Sequence, residues 1–205
     1  MWYYDSKIIK TPKAMVISEI THPPGIFRDS TMLASLGIKP YTETRKDNRY
    51  YNLGSYSVDT SGDTVVGTYA GAVKDLATLR TGMLKKTNDY AASRHAEIDW
   101  YWTRASKGGT AVPSNIATYA SALYSEHETK KTEIGNLDTL AKIKEYEERA
   151  YTETRKVSVY NEDGTFKEYH ASNTTTHARE IDMCTHFSVN PAAAVDPAFV
   201  SLTAD

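Results

Sequence analysis

The hexapeptide Tyr41-Thr42-Glu43-Thr44-Arg45-Lys46 returns letter for letter as Tyr151-Thr152-Glu153-Thr154-Arg155-Lys156. Both copies run on to a Tyr-Asn, at Tyr51-Asn52 and at Tyr160-Asn161. Tyr and Thr favour a pleated strand. The repeat therefore reads either as two strands of similar exposed character or as one duplicated β element. In the second reading both copies pair in a single sheet and the segment between them projects from it. The likeness ends after roughly a dozen residues, which excludes a solenoid of stacked repeats.

Between the copies the pattern turns helical. Tyr69, Val73, Leu76, Leu79, Met83, Tyr90, Ile98 and Tyr101 recur at near-helical spacing before Ser106. Thr87 and Arg94 interrupt the stripe, and Gly71 and Gly82 each weaken a helix by about 1 kcal/mol relative to Ala. Part of the stripe has a period nearer 3.5 than 3.6, which permits a coiled coil. An amphipathic helix in an ordinary helical hairpin fits equally well. Seven of these residues, Val73, Leu76, Leu79, Met83, Tyr90, Ile98 and Tyr101, are the candidate oligomer interface. Lys107-Gly108-Gly109-Thr110 breaks the helix. Ser114 opens the next one, with Ile116, Tyr119, Ala120 and Leu123 on one face. Gly135-Asn136 ends it. Asp138 then caps a short amphipathic helix carrying Leu140, Ile143 and Tyr146.

The flanks are β in character. Ala14-Met15-Val16-Ile17 and Tyr50 to Val58 have strand composition, separated by His22-Pro23-Pro24-Gly25, which no helix or central strand tolerates. Asp29-Ser30-Thr31, then Met32 to Leu36, then Gly37, spell an N-cap, one short helix and a glycine stop. After Thr152, Lys156 to Tyr160 and Thr165 to Tyr169 alternate about an Asp163-Gly164 turn, a hairpin signal. The tail from Pro191 to Asp205 reads as extended. The expected fold is α+β. It comprises a β-containing head at 1–66, a helical segment at 67–149, and a β-hairpin with an extended tail at 150–205, in an elongated subunit.

Composition narrows the function. Leu, Ile, Val and Phe total 36 of 205 residues, against 15 Tyr and 3 Trp, with a net charge of −2. So lean an aliphatic set with so little net charge describes a folded, thin-cored chain, either elongated or completed by a partner subunit. Near-neutrality argues against a general nucleic-acid surface. No apolar run approaches the ~20 residues of a membrane span. The N-terminus lacks the basic and apolar regions of a secretion signal, so synthesis in a cytoplasm is expected.

Chemistry is not announced. There is no Gly-Lys-Ser/Thr phosphate loop and no Gly-x-Ser-x-Gly nucleophile turn. His95-Ala96-Glu97 has the His-x-Glu of zinc deaminases without the Pro-Cys-x-x-Cys half. His170, His177 and His186 lie near Asp182 and Cys184, but their spacing fits no zinc pattern. No catalytic residue, metal or cofactor is expected. Tyr50 and Tyr51 beside Arg45, Lys46 and Arg49 form an aromatic–basic patch. It suits a neighbouring chain, where Tyr and Arg are enriched, better than a sugar or a nucleic-acid strand. Trp2, Tyr3 and Tyr4 form an aromatic N-terminal tag suited to docking.

Two stretches carry a family likeness. Ile20-Thr21-His22-Pro23, Leu33 to Tyr41 and Arg49-Tyr50-Tyr51 resemble the opening of tail-region proteins of marine tailed bacteriophages. Arg80, Met83-Leu84, Asp99-Trp100, Arg104, Gly108-Gly109, Val112-Pro113, Ile116, Tyr119 and Leu123 resemble a helical segment of phage tail-fibre and tail-fibre-assembly proteins. The pattern departs at Ala120 and Tyr124, which stand where arginines are usual, and has extra residues before Asp99-Trp100. The resemblance spans roughly residues 20–145. It implies a non-enzymatic virion component of the tail, a fibre or fibre adaptor. Such a protein would be homotrimeric and would dock with other tail or baseplate proteins, with no nucleic acid bound and no membrane insertion. The alternative it implies is a tail-fibre assembly chaperone absent from the mature particle.

Overall fold

The computed structural model describes residues 1–193 and 196–205. It divides into two compact units, Met1–Lys74 and Asp75–Asp205. The chain is mixed α+β, as its sequence pattern indicates.

The first unit opens with β1 (Trp2–Tyr4), β2 (Lys7–Ile9), β3 (Met15–Ile17) and β4 (Ile20–His22). A 3-10 turn at Pro24–Arg28 and helix α1 (Ser30–Ser35) follow, then β5 (Lys39–Thr44), β6 (Tyr51–Asp59) and β7 (Val65–Val73). The sheet order is β2-β1-β5-β7-β6, with β3 and β4 paired apart from it. β5 and β7 run parallel, and the other neighbours are antiparallel. Helix α1 forms as its sequence predicts. The Asp29 carboxylate accepts from the Thr31 and Met32 N–H groups, both at 3.0 Å. Gly37 then takes a φ of 69°, and Ile38 N–H closes on the Leu33 carbonyl at 2.9 Å, a Schellman stop. Ile9, Ile17, Ile26, Phe27, Leu33 and Ile38 form the core, flanked by Trp2, Tyr4, Met15 and Leu36.

The second unit holds α2 (Leu76–Ala96), α3 (Asp99–Ser106), α4 (Ser114–Gly135) and α5 (Leu140–Glu147), then β8 (Arg149–Tyr160), β9 (Phe166–Ile181) and β10 (Phe199–Ala204). Asp75 caps α2 through its Oδ2, which accepts from Thr78 N–H at 2.9 Å. Helices α2 and α4 lie antiparallel. Arg80 donates to the Leu137 carbonyl at 3.1 Å, and Asn88 meets His127 at 2.7 Å, so numbers rise on one helix as they fall on the other. Ala91, Ile98, Ile116, Tyr119, Leu123 and Phe187 are buried together between them. The three strands form an antiparallel sheet in the order β10-β8-β9.

Several expectations are corrected here. Tyr69 and Val73 lie on β7, and the helix begins at Leu76. Val65, Gly67, Tyr69, Gly71 and Val73 follow a period of two, and Asp75 is the real N-cap, so the boundary at 66/67 moves to 74/75. The helix does not run unbroken to Ser106: it stops at Ala96, and α3 restarts at Asp99. The two copies of the repeat occupy different sheets, the first on β5 and the second on β8. The helices and the C-terminal strands form one compact unit rather than two domains. The tail is a strand over Phe199–Ala204, paired with β8; residues 194–195 of it lie outside the described residues.

Candidate functional site

The expected oligomer stripe is already used inside the chain. Met83 and Ile98 are buried, at 4% and 1% exposure. Tyr90 and Tyr101 pack against the core between α2 and α4, and Leu76 and Leu79 are half-buried. Val73 is exposed, but on a strand. The reason is the antiparallel return of α4, which covers the face that the stripe offers. On α2 the fully buried positions are Met83, Thr87 and Ala91, so Thr87 belongs to the buried face rather than interrupting it.

The expected docking residues are likewise occupied. Trp2 packs tilted against Phe27, ring centres 4.7 Å apart, and Tyr4 packs on the first core, because the tag forms β1 between β2 and β5. Tyr3 is half-buried on the same strand. Tyr50 is 2% exposed, beneath the Arg49 guanidinium at 5.1 Å. Lys46 lies over half-buried Tyr51 at 4.9 Å, and Arg45 over Tyr69 at 5.5 Å. The aromatic–basic patch is therefore a set of intramolecular cation–π contacts.

What the fold leaves open is strand β9. It has 16 residues, about 50 Å at the rise of an antiparallel strand. It is exposed at all but Tyr169 and Ile181, and it is an edge of its sheet. β10 pairs with β8 only from Tyr151 to Arg155. Lys156 N–H still reaches the Ala198 carbonyl at 2.8 Å, and from Val157 onward β8 and β9 continue as a two-stranded arm closed by a tight turn. There Asn161 N–H meets the Thr165 carbonyl at 2.9 Å, and Gly164 has a φ of 80°. At its end Phe166 contacts Tyr169 at 4.9 Å and Tyr160 edge-on at 6.3 Å. Tyr160 is 61% exposed and Phe166 is 50%. Nine consecutive residues of β9, His170 to Ala178, contain no Lys, Arg, Asp, Glu or Pro. Natural edge strands are usually guarded by such residues or by bulges. The register does shift at the start of this run, where His170 Nδ1 accepts from the Ser172 and Asn173 N–H groups at 3.3 and 2.9 Å, and from Thr174 the ladder is regular. A second exposed aromatic set stands on α3, where Trp100 and Trp102 are 49% and 41% exposed.

The base of β9 is fixed by charge. Glu153 on β8 is buried and accepts from Arg179 of β9 at 2.6 Å and from Arg155, which also pairs with Asp196. The Arg179 and Arg155 hydrogen bonds hold its carboxyl below the usual glutamate range.

One polar cluster lies inside the unit. Glu147, Asp182 and Cys184 bring their ligand atoms within 4.8 Å of one another. Asp182 is already committed, pairing with Lys86 and accepting from Cys184 N–H at 2.8 Å. Burial pushes the Cys184 thiol up to about 12. A cation would have to displace both Lys86 and the thiol proton, and the cluster reads as internal charge pairing. His170 and His177 are exposed on β9, and His186 is half-buried against the Tyr151 ring at 5.7 Å. None of the three belongs to the metal-capable group among the described residues.

The open edge of β9 had a sequence signal that the hairpin reading used only as far as Tyr169. Thr174-Thr175-Thr176 continues the β propensity without a turn residue. No helix among the described residues is long and apolar enough to cross a membrane. No family model, curated protein or solved structure matches the chain.

Proposed function

We propose that the chain is a non-enzymatic structural component of a tailed-phage virion, of tail-fibre or fibre-adaptor type, acting by self-association and docking. The observation that carries the self-association is the long edge of β9, which has no charged residue from His170 to Ala178. Its occupant in this reading is a second copy of the chain. The sheet has two free edges, β9 on one side and β10 on the other, among the described residues. Pairing β9 of one copy with β10 of the next is a head-to-tail contact, and where the rotation between copies closes, such contacts form rings, of which a homotrimer is the smallest. Main-chain hydrogen bonds supply the affinity in this mode, and the aromatic arm end and the α3 indoles remain for other tail or baseplate proteins. The assignment to a phage tail rests on the sequence resemblance.

The test is quantitative mass spectrometry of purified virions. A fixed copy number per particle, in multiples of three or six, supports the virion role. Abundance in infected-cell lysate with absence from particles overturns it in favour of an assembly chaperone.

A further inference from the structure

The second unit contains a cavity of about 520 Å³ lined by Glu126, Lys130, Tyr151, His186, Phe187 and Leu202, among others. Its volume lies within the range of small-molecule sites, roughly 300–1,000 Å³. Lys130 is 6% exposed, and its ammonium has no hydrogen-bond or ion-pair partner among the described residues. The face of Phe187 is 5.1 Å away, and the carboxylates of Glu133 and Glu126 are near enough to act on its charge without bonding it. An ammonium largely enclosed with no bonded partner is costly, and proteins normally supply a bonded counter-ion. Glu126 lines the same cavity, but its two oxygens accept from the N–H and the hydroxyl of Ser188. His186 is half-buried on the cavity wall, its ring facing Tyr151 and its nitrogens without a partner among the described residues. Apart from Ser188, the remaining wall is aromatic and aliphatic, Phe187, Tyr151 and Leu202 among it.

We propose that this cavity binds a small organic acid, a carboxylate on an apolar or aromatic body, with Lys130 as its counter-ion and His186 as a second hydrogen-bonding group. The carboxylate supplies the acceptors that three ammonium N–H groups lack. The apolar body fills the space between Phe187 and Leu202. Burial holds the Lys130 ammonium below the usual lysine range, and an anion beside it reverses that effect. Burial, and after it the Lys130 charge, push the His186 imidazole down as well. The inference is independent of the virion assignment, since it uses neither the β9 edge nor the resemblance.

The experiment is isothermal titration calorimetry of the full chain with benzoate and with benzyl alcohol, which share a ring and differ in charge. Benzoate is expected to bind at least tenfold more tightly, and Lys130→Met is expected to abolish that difference. Proton NMR of the unsubstituted protein keeps the test independent of the variant's folding: benzoate should shift the His186 and Tyr151 ring signals. Equal binding of the two probes, no binding of benzoate, or binding that leaves both rings unmoved overturns the proposal.

Discussion

The phenolic oxygens of Tyr41 and Tyr56 stand 2.6 Å apart, and Gly67 makes the space in which they meet. Tyr41 also donates to Glu43 at 3.2 Å, so Tyr56 is the donor within the pair. Burial first, and these contacts next, raise the Tyr41 phenol above its ordinary range. A Cβ on residue 67 would collide with both hydroxyls and lie 2.9 Å from Tyr56 Cε2. Gly67→Ala should therefore cost about 1–3 kcal/mol of stability, the usual range for overpacking. Urea denaturation measures it. The cost should shrink in a Tyr41→Phe/Tyr56→Phe background, where two of the three colliding atoms are gone.

The two copies of the repeat put the same letters to opposite uses. Tyr41 is 3% exposed and Glu43 is on the surface, whereas Glu153 is 6% exposed and Tyr151 is half-buried. Glu153 stands between Arg155 and Arg179, and its lowered pKa fixes the sign of the pH effect. The stabilisation is fully present above the unfolded glutamate value of about 4.3 and is lost as pH falls through the lower folded value. Glu153→Gln should lower the melting temperature at pH 7 and flatten its acid dependence, while Glu43→Gln should leave the melting temperature nearly unchanged. Thermal melts from pH 3 to 7 compare them. Equal losses in the two variants would mean that Arg155 and Arg179 stabilise nothing through Glu153.

Local signals made part of this fold legible. Asp29 with Gly37, Lys107 to Thr110, and Asp163-Gly164 each end or begin an element where the chain does so. Pairing was not legible, because it is decided by surfaces distant in sequence. The Tyr69 to Tyr101 stripe fits a helical period, yet a period-two alternation runs through Tyr69 and Val73, and the strand won. Which partner covers Met83 and Ile98 depends on α4, so an internal helix pair and an external interface look alike from the stripe alone. The letter-for-letter repeat says that both copies are strands and says nothing of which sheet each joins. Lys130 gave no signal, since a lysine in a charged helical run reads as solvated until the aromatic that buries it, Phe187, arrives from far along the chain.

Two hairpin turns place non-glycine residues in the left-handed region. Asp5 and Ser6 join β1 to β2 with φ of 47° and 59°, and Ser18 and Glu19 join β3 to β4 with φ of 49° and 65°. Consecutive left-handed residues make the turn that matches strand twist, and Asn-Gly is the pair that adopts it readily. A left-handed L-residue costs roughly 1–2 kcal/mol. Replacing Ser18-Glu19 by Asn-Gly should thus raise stability by about 1 kcal/mol, read as an upward shift of the urea midpoint at constant slope. A downward shift would show that Glu19 contributes more than its backbone strain costs.

Cys184 should behave as an inert thiol. It is 0% exposed, and burial, followed by the charge of Asp182, raises it to about 12. Thiolate is the reactive form, and little exists at pH 8 under that shift. Ellman's reagent should therefore leave the native protein unmodified at pH 8 and titrate one thiol once urea has unfolded it. Fast labelling of the native chain would mean that the segment around Asp182 opens readily.

The uncharged part of the β9 edge can be closed by chemistry that natural edges use. If copies of the chain pair through it, lysine placed within the uncharged run should oppose association, because a charge must be desolvated or faced across the new ladder. Asn173 and Thr175 are exposed, so Asn173→Lys/Thr175→Lys should leave the fold and its melting transition nearly intact. In size-exclusion chromatography with light scattering, the unsubstituted chain should run as an oligomer and the double variant as a monomer of 22.9 kDa. An oligomer that survives the substitution would move the self-association surface to the α3 indoles or to the aromatic arm end. Trp100→Ser/Trp102→Ser and Phe166→Ser would then separate those two, since each removes one exposed aromatic set and leaves the other in place.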